Sequence, residues 1–314
     1  MRIVVIGAGG VGGLLAGLLT RAGADVALVA RGAQLEALRR DGLSIDSPLG
    51  TFRVRVPAEA DPGALAPADA VIVAVKAWQV ASVAPTLAPL VAKGGVVVPM
   101  QNGVEAADRL AAALGPERVA GGTINVLAWI AAPGRVQHLG GTPRITLGER
   151  GAPGSPRLEA LAAALRAACS EAEVTPDIDV ATWDKFLFVE PWGVVGAASR
   201  APIGVMRTVP ETRALLERAM REVDALARAR GVRLPAETVA SALRRMEAVP
   251  IDATVSMQRD LGAGRPSELD DQAGAVVRLA RDAGVPAPAH DALYAALVPQ
   301  ERAARGDLRP FART

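Results

Sequence analysis

Apolar residues follow two rhythms along this chain, and the rhythm changes near residue 176. In the first part, short β-branched runs alternate with helical stretches. IVVI at 3–6 and VALV at 26–29 read as buried parallel strands, with the helical LLAGLLTRAG between them and Gly23 as its stop signal. The stretch 43–60 predicts a strand pair around a Pro-Gly turn. VIVAV within 68–80 and GGVVVPM within 94–104 predict two more buried strands, and 119–130 with 135–148 predicts an antiparallel extension. ERGAPGSPR at 149–157 reads as a loop, and RLEALAAALRAACSEA at 157–172 as one amphipathic helix. Beyond 176 the strand signals vanish. Helical spacing dominates 211–231, 236–249, 267–284 and 290–306, with Gly231 and Gly284 as caps and a loop-like RGDLRPFART end. The expected architecture is an α/β domain at 1–176 followed by an all-α domain at 177–314.

Composition narrows the partners. The chain has 314 residues, half of them hydrophobic, which is enough for two cored domains. A net charge of +2 argues for neither nucleic acid nor a membrane surface. The single cysteine, Cys169, rules out a disulfide within the chain and favours a reducing, cytoplasmic setting. The N-terminal apolar run flows into glycines rather than a cleavage site, so no leader is expected. No uninterrupted apolar stretch reaches about 20 residues, so no membrane span is expected. A homodimer is compatible with all of this.

The glycines after the first strand carry the first chemistry. Gly7-Ala8-Gly9-Gly10-Val11-Gly12 sits between strand and helix, the context that gives a GxGxxG motif its meaning as a dinucleotide fingerprint. Gly7 permits the tight turn, Gly9 lets backbone approach a pyrophosphate, and Gly12 lets helix and strand pack closely. The helix N-terminus offers its N–H donors to the anion. The N-terminal domain is therefore expected to be Rossmann-type. At the end of the second strand an NAD enzyme usually carries a carboxylate for the ribose. Here the residue is Arg31, suited to a 2′-phosphate, and the expected cofactor is NADP(H).

Rare residues carry the rest. Three of the 35 basic residues are lysine (Lys76, Lys93 and Lys185), and the chain has two asparagines, Asn102 and Asn125. Lys76 and Asn102 follow strands whose C-terminal ends would face a ligand. Lys185 lies in TWDKFLFVEPW, among Trp183, Phe186, Phe188 and Trp192. A lysine shielded by such rings has a lowered pKa and can protonate a developing alkoxide, which arginine cannot do. It could equally be a snorkelling lysine paired with Asp184 or Glu190. His138 and His290 are isolated and predict no metal site. Cys169 is expected in the core, and Asp270-Asp271 at a helix start.

The chain resembles the ketopantoate reductase (2-dehydropantoate 2-reductase) family along essentially its whole length. The resemblance rests on GAGGVG with Arg31, VKAWQ, QNGV, GRVQHLGG, WDKF and SMQRDLGAGRPSELD. It implies a Rossmann domain plus an all-α domain with the active site in the interdomain cleft. It also implies NADPH-dependent reduction of the small 2-oxo acid 2-dehydropantoate to (R)-pantoate, for pantothenate and coenzyme A synthesis. Lys185 would then be the general acid, and Asn102 would position nicotinamide and substrate. Lys76 would lie by the cofactor, Ser256 would hold substrate, and Glu268 would contact both cofactor and substrate. One departure stands out. The family's lysine is followed by asparagines four and eight positions on, about 40° and 80° round the helix; here they are Val189 and Gly193. A third family asparagine corresponds to Ile203. The cofactor half of the site is thus expected to be intact and the substrate half altered. Two alternatives follow: a paralogue reducing a more apolar 2-oxo acid or ketone, and a non-catalytic NADP-binding protein.

Overall fold

The computed structural model describes residues 1–151 and 154–308. Part of the expected 149–157 loop and the end of the expected tail lie outside them. The chain divides into two compact units. The first holds Met1–Gln101 and Ala106–Ala181; the second holds Asn102–Glu105 and the chain from Thr182 on.

The first unit contains β1 (Arg2–Ile6), α1 (Gly10–Arg21), β2 (Asp25–Val29), α2 (Gly32–Asp41), β3 (Leu43–Asp46), β4 (Phe52–Val54), β5 (Ala58–Glu59), β6 (Ala68–Val73), α3 (Val80–Val83) and β7 (Val91–Pro99). It continues with α4 (Ala106–Leu114), β8 (Gly121–Ala132), β9 (Arg135–Gly148), α5 (Pro156–Ala167) and β10 (Glu171–Val174). One sheet has the order β5-β2-β1-β6-β7 and is parallel throughout. Its central strands are apolar on both faces because both are covered. Ile3, Val5, Leu28 and Ile72 join Leu14, Leu15 and Leu18 of α1 in one core. Val4, Ile6, Val71 and Val73 join Leu87 and Leu110 in another.

The expected antiparallel extension is a sheet of its own. β8 and β9 pair antiparallel, and β9 also takes β3 and β10 in parallel, with β4 beyond β3. This second sheet packs on α1. A Cβ at Gly13 would meet Val136 Cγ2 at 2.8 Å, and one at Gly17 would meet Ile45 Cγ1 at 2.8 Å. The helix is glycine-rich along this stripe because strands press on it.

The helix expected over 157–172 stops at Ala167. Ser170 N–H bonds back to Leu165 O, Cys169 takes φ 65°, and EAEV continues as β10 on the edge of β9. Cys169 is exposed rather than in the core, because it sits in the turn and not on the helix face.

The remaining elements are helical: α6 (Ile178–Ser199), α7 (Ile203–Thr208), α8 (Pro210–Ala229), α9 (Thr238–Glu247), α10 (Ser256–Gly262), α11 (Ala273–Ala283) and α12 (Pro288–Arg305). α8 packs against α7, α9, α11 and α12. Its face of Leu216, Met220, Val223 and Leu226 is buried, each side chain contributing about 1.5–3 kcal/mol. Gly231 and Gly284 follow α8 and α11 at φ 83° and φ 66°, as their capping role requires. Residues 267–272 are a turn rather than the start of α11. Ser267 donates from its N–H and its Oγ to Glu301, and Leu269 N–H donates to Ser267 Oγ, so side chains hold the front of this turn, and a backbone bond from Gln272 N–H to Glu268 O closes its end. Asp270 and Asp271 consequently do not lie at a helix start. Among the described residues no helix is long and apolar enough to cross a membrane.

Candidate active site

In the first unit the glycine turn links β1 to α1. Gly7 has φ 102°, and a Cβ there would lie 2.9 Å from Val75 N. A Cβ at Gly12 would lie 1.9 Å from Gly7 O, so this position is closed to any side chain. A Cβ at Gly10 would strike Ala128 O of β8 at 2.2 Å. Gly9 differs. Its nearest neighbour would be Ala74 O at 4.0 Å, so the protein itself does not demand a glycine there. Gly9 is the N-cap of α1 and supplies no side-chain cap to the helix's first N–H groups. Bare backbone beside open space at the start of a three-turn helix suits an anionic diphosphate. Ala8 is buried, its carbonyl accepting from Gln34 Nε2 at 2.9 Å, while Val11 is half-buried. Gln34 Oε1 in turn accepts from Gly134 N–H at 2.8 Å. Gln34 carries no motif signal in the sequence, although it ties the turn to the β8–β9 hairpin.

Arg31 and Lys76 stand at the same edge of the parallel sheet. Arg31 is exposed at the N-cap of α2, just past β2. Among the described residues its side chain has no hydrogen-bond or ion-pair partner. Lys76 is half-buried past β6, its ammonium 5.6 Å from the Trp78 ring centroid.

In the second unit Lys185 lies on α6, which runs unbroken through Pro191. Trp183 and Phe186 are buried and meet edge to face at 5.8 Å; Phe188 and Trp192 do so at 5.9 Å. Lys185 Nζ donates to Asn102 Oδ1 at 2.9 Å. Burial pushes the Lys185 pKa down to about 8, opposed by the nearby Glu268 carboxylate, which favours the charged form. Glu268 is buried in the 267–272 turn and accepts from Gln272 Nε2 at 3.4 Å. Lys185, Asn102 and Glu268 are thus brought together from three separate stretches of chain.

The two alternative partners for Lys185 are engaged elsewhere. Asp184 holds Arg245 through two bonds of 2.8 and 2.9 Å. Glu190 faces away and accepts from His290 Nε2 at 2.8 Å, while His290 Nδ1 meets Glu222 at 2.6 Å. His290 is therefore the buried centre of a carboxylate–imidazole–carboxylate chain joining α6, α8 and α12. Although burial opposes it, the two carboxylates raise its pKa to about 9. Among the described residues no group of His, Cys, Asp and Glu could hold a metal ion.

The positions that depart from the family pattern divide. Val189 is half-buried on the Lys185 face. Gly193 is buried, and a Cβ there would meet Met257 Cε at 2.7 Å and Val255 Cγ2 at 3.2 Å. Ile203 is fully buried and opens α7. Ser256, half-buried, begins α10 between those two packing residues, Val255 and Met257.

A Rossmann-type unit followed by a helical unit carrying a desolvated lysine marks a two-unit oxidoreductase. Residues 3–152 match the family model "Ketopantoate reductase PanE/ApbA", and residues 177–301 match "Ketopantoate reductase PanE/ApbA C terminal". A 2-dehydropantoate 2-reductase of Halobacterium salinarum is 35% identical over 292 residues, 92% of this chain and 95% of that one. Its counterpart from Mesorhizobium japonicum is 33% identical over 320 residues, 94% of this chain and 96% of that one. The crystal structure of a PanE/ApbA family ketopantoate reductase from Ralstonia eutropha superposes with a TM-score of 0.88 at 32% identity, covering 97% of this chain and all of that one. The chain belongs to the ketopantoate reductase family. It is an oxidoreductase acting on a CH–OH group, of the 2-dehydropantoate 2-reductase type.

Proposed function

We propose that the protein reduces 2-dehydropantoate to (R)-pantoate with NADPH, the step that supplies pantothenate and coenzyme A synthesis. The observation that carries this reading is the Lys185 ammonium, desolvated to a pKa of about 8, held by Asn102 and faced by Glu268. Gly7, Ala8, Gly9, Gly10, Val11 and Gly12 would hold the diphosphate at the start of α1, and Arg31 would pair with the 2′-phosphate. Lys76 adds positive charge by the cofactor. When bound, NADPH would supply the hydride that reaches the carbonyl carbon. As negative charge builds on the carbonyl oxygen, Lys185 Nζ delivers a proton to it. Asn102 Oδ1 aims that ammonium, Glu268 keeps it charged, and Ser256 hydrogen-bonds the substrate.

Steady-state oxidation of NADPH with 2-dehydropantoate tests the reading directly. Lys185→Ala is expected to lower kcat by roughly 10²–10⁴-fold while leaving NADPH affinity unchanged. Full activity in that variant refutes the assigned role. In the wild type, activity falls as pH rises past about 8, because a deprotonated Lys185 has no proton to give. Cofactor binding with no turnover of any 2-oxo acid supports a non-catalytic protein instead.

A second substrate reading rests on Val189 and on the closure of Gly193 by Met257 and Val255. These surfaces offer no hydrogen bond to a substrate hydroxyl. A higher kcat/KM for 3-methyl-2-oxobutanoate than for 2-dehydropantoate supports a paralogue for apolar 2-oxo acids, and the reverse order discards it.

A further inference from the structure

Both groups that face the Lys185 ammonium come from turns rather than helices. Asn102 lies in the turn 102–105, and Glu268 in the turn 267–272. The two turns touch. Gly103 has φ 143°, and a Cβ there would stand 3.3 Å from Asp271 O. One side chain spans both. Arg278, on α11, donates from Nη2 to Glu105 Oε2 at 3.2 Å, three residues after Asn102. It also donates from Nη1 to Asp270 Oδ1 at 3.1 Å and from Nη2 to Asp270 O at 3.0 Å, two residues after Glu268. Tyr294 of α12 adds a bond from its hydroxyl to Asp270 Oδ1 at 2.6 Å. The cluster is built into the fold. A Cβ at Gly274, one turn before Arg278, would come within 2.8 Å of Asp270 Oδ1, 3.0 Å of Arg278 Nη1 and 3.0 Å of Tyr294 Cε2.

We propose that Arg278 is a positioning residue for the reduction: one guanidinium fork fastens the turn that carries Asn102 to the turn that carries Glu268, and so fixes the two groups that aim and charge Lys185. Arginine suits this task because its planar fork bonds in two directions at once, whereas a lysine ammonium is a single point of charge. Neither motif nor spacing marks Arg278 in the sequence. The inference rests on Lys185 being the proton donor.

The experiment compares Arg278→Met, Arg278→Lys and Gly274→Ala with the wild type in kcat against pH, KM for 2-dehydropantoate, NADPH affinity by fluorescence and melting temperature. Arg278→Met is expected to lower kcat roughly tenfold to a hundredfold, the scale of a small misplacement at a reacting centre. It also moves the alkaline limb of kcat to lower pH, because a loosened Glu268 no longer favours the charged Lys185. NADPH affinity changes less than kcat, because the glycine turn and Arg31 are untouched. Arg278→Lys recovers part of kcat. Gly274→Ala, which displaces the cluster without removing a charge, moves the limb the same way. A purely structural role scales kcat with the folded fraction and leaves the limb in place; that result overturns the proposal, as does a kcat for Arg278→Met within twofold of wild type. Lys185→Ala separates the two ideas. If Lys185→Ala is inactive while Arg278→Met behaves as wild type, this inference alone falls. If Lys185→Ala is active, the parent reading falls, and this one falls with it.

Discussion

The glycine turn of the first unit and the lysine face of α6 are both narrow in the residues they accept, for opposite reasons. At the turn, backbone presses on backbone: Gly12 is fixed by an oxygen only five residues away. On α6, the constraint comes from far along the chain. Gly193 is fixed by Met257, Glu190 by His290, and Lys185 by Asn102 and Glu268. Local crowding leaves a compact motif in the sequence. Long-range packing leaves scattered single residues that carry no pattern. Two kinds of glycine also occur within the turn itself, since the protein's own backbone excludes a side chain at Gly12 and leaves room for one at Gly9.

The sharpest test of the long-range side is His290→Ala. It leaves two carboxylates facing each other in the interior without their shared donor, and is expected to cost about 3–5 kcal/mol in urea unfolding. The pH dependence has a definite sign. With a folded pKa raised to about 9, His290 contributes its full stabilisation below its unfolded value of about 6.5, and that contribution fades as pH rises through about 9. The gap between wild type and variant should therefore shrink by about 3 kcal/mol between pH 6 and pH 10. A constant gap would show that His290 is held as a neutral ring.

On the local side, Gly12→Ala is expected to lose up to about 3 kcal/mol of stability through overpacking. Gly9→Ala should melt within about 0.5 kcal/mol of wild type and lose dinucleotide affinity instead. Calorimetry and fluorescence titration on the two variants would break the distinction if both lost stability equally. Arg31→Ala should act on the cofactor alone. NADPH should weaken by roughly tenfold, about 1.4 kcal/mol, with little change for NADH. Equal weakening of both cofactors would remove the 2′-phosphate contact from the reading.

The residues legible in advance share a cause. Strand, glycine turn and helix occur in 30 consecutive residues, so periodicity and sterics reveal them together. Lys185 and Asn102 stood out because lysine and asparagine are scarce in this chain, and the fold joins them by a hydrogen bond. His290 looked isolated because its partners are 68 and 100 residues away. Cys169 looked like core because apolar spacing continues past the point where α5 ends and the chain turns into β10. Asp270 looked like a helix start, yet it serves Arg278 and Tyr294.

By itself the sequence determined an α/β unit built on a glycine turn, a helical unit after it, and a lysine set among aromatic rings. These follow from hydrophobic period and from backbone sterics, which act over a few residues. The tertiary structure decided how β3, β4, β8, β9 and β10 form their own sheet, what closes Gly193, and which partners surround His290 and Arg278. Those choices rest on side chains that meet only after distant helices and turns have packed, and that meeting is written in no single stretch of the chain.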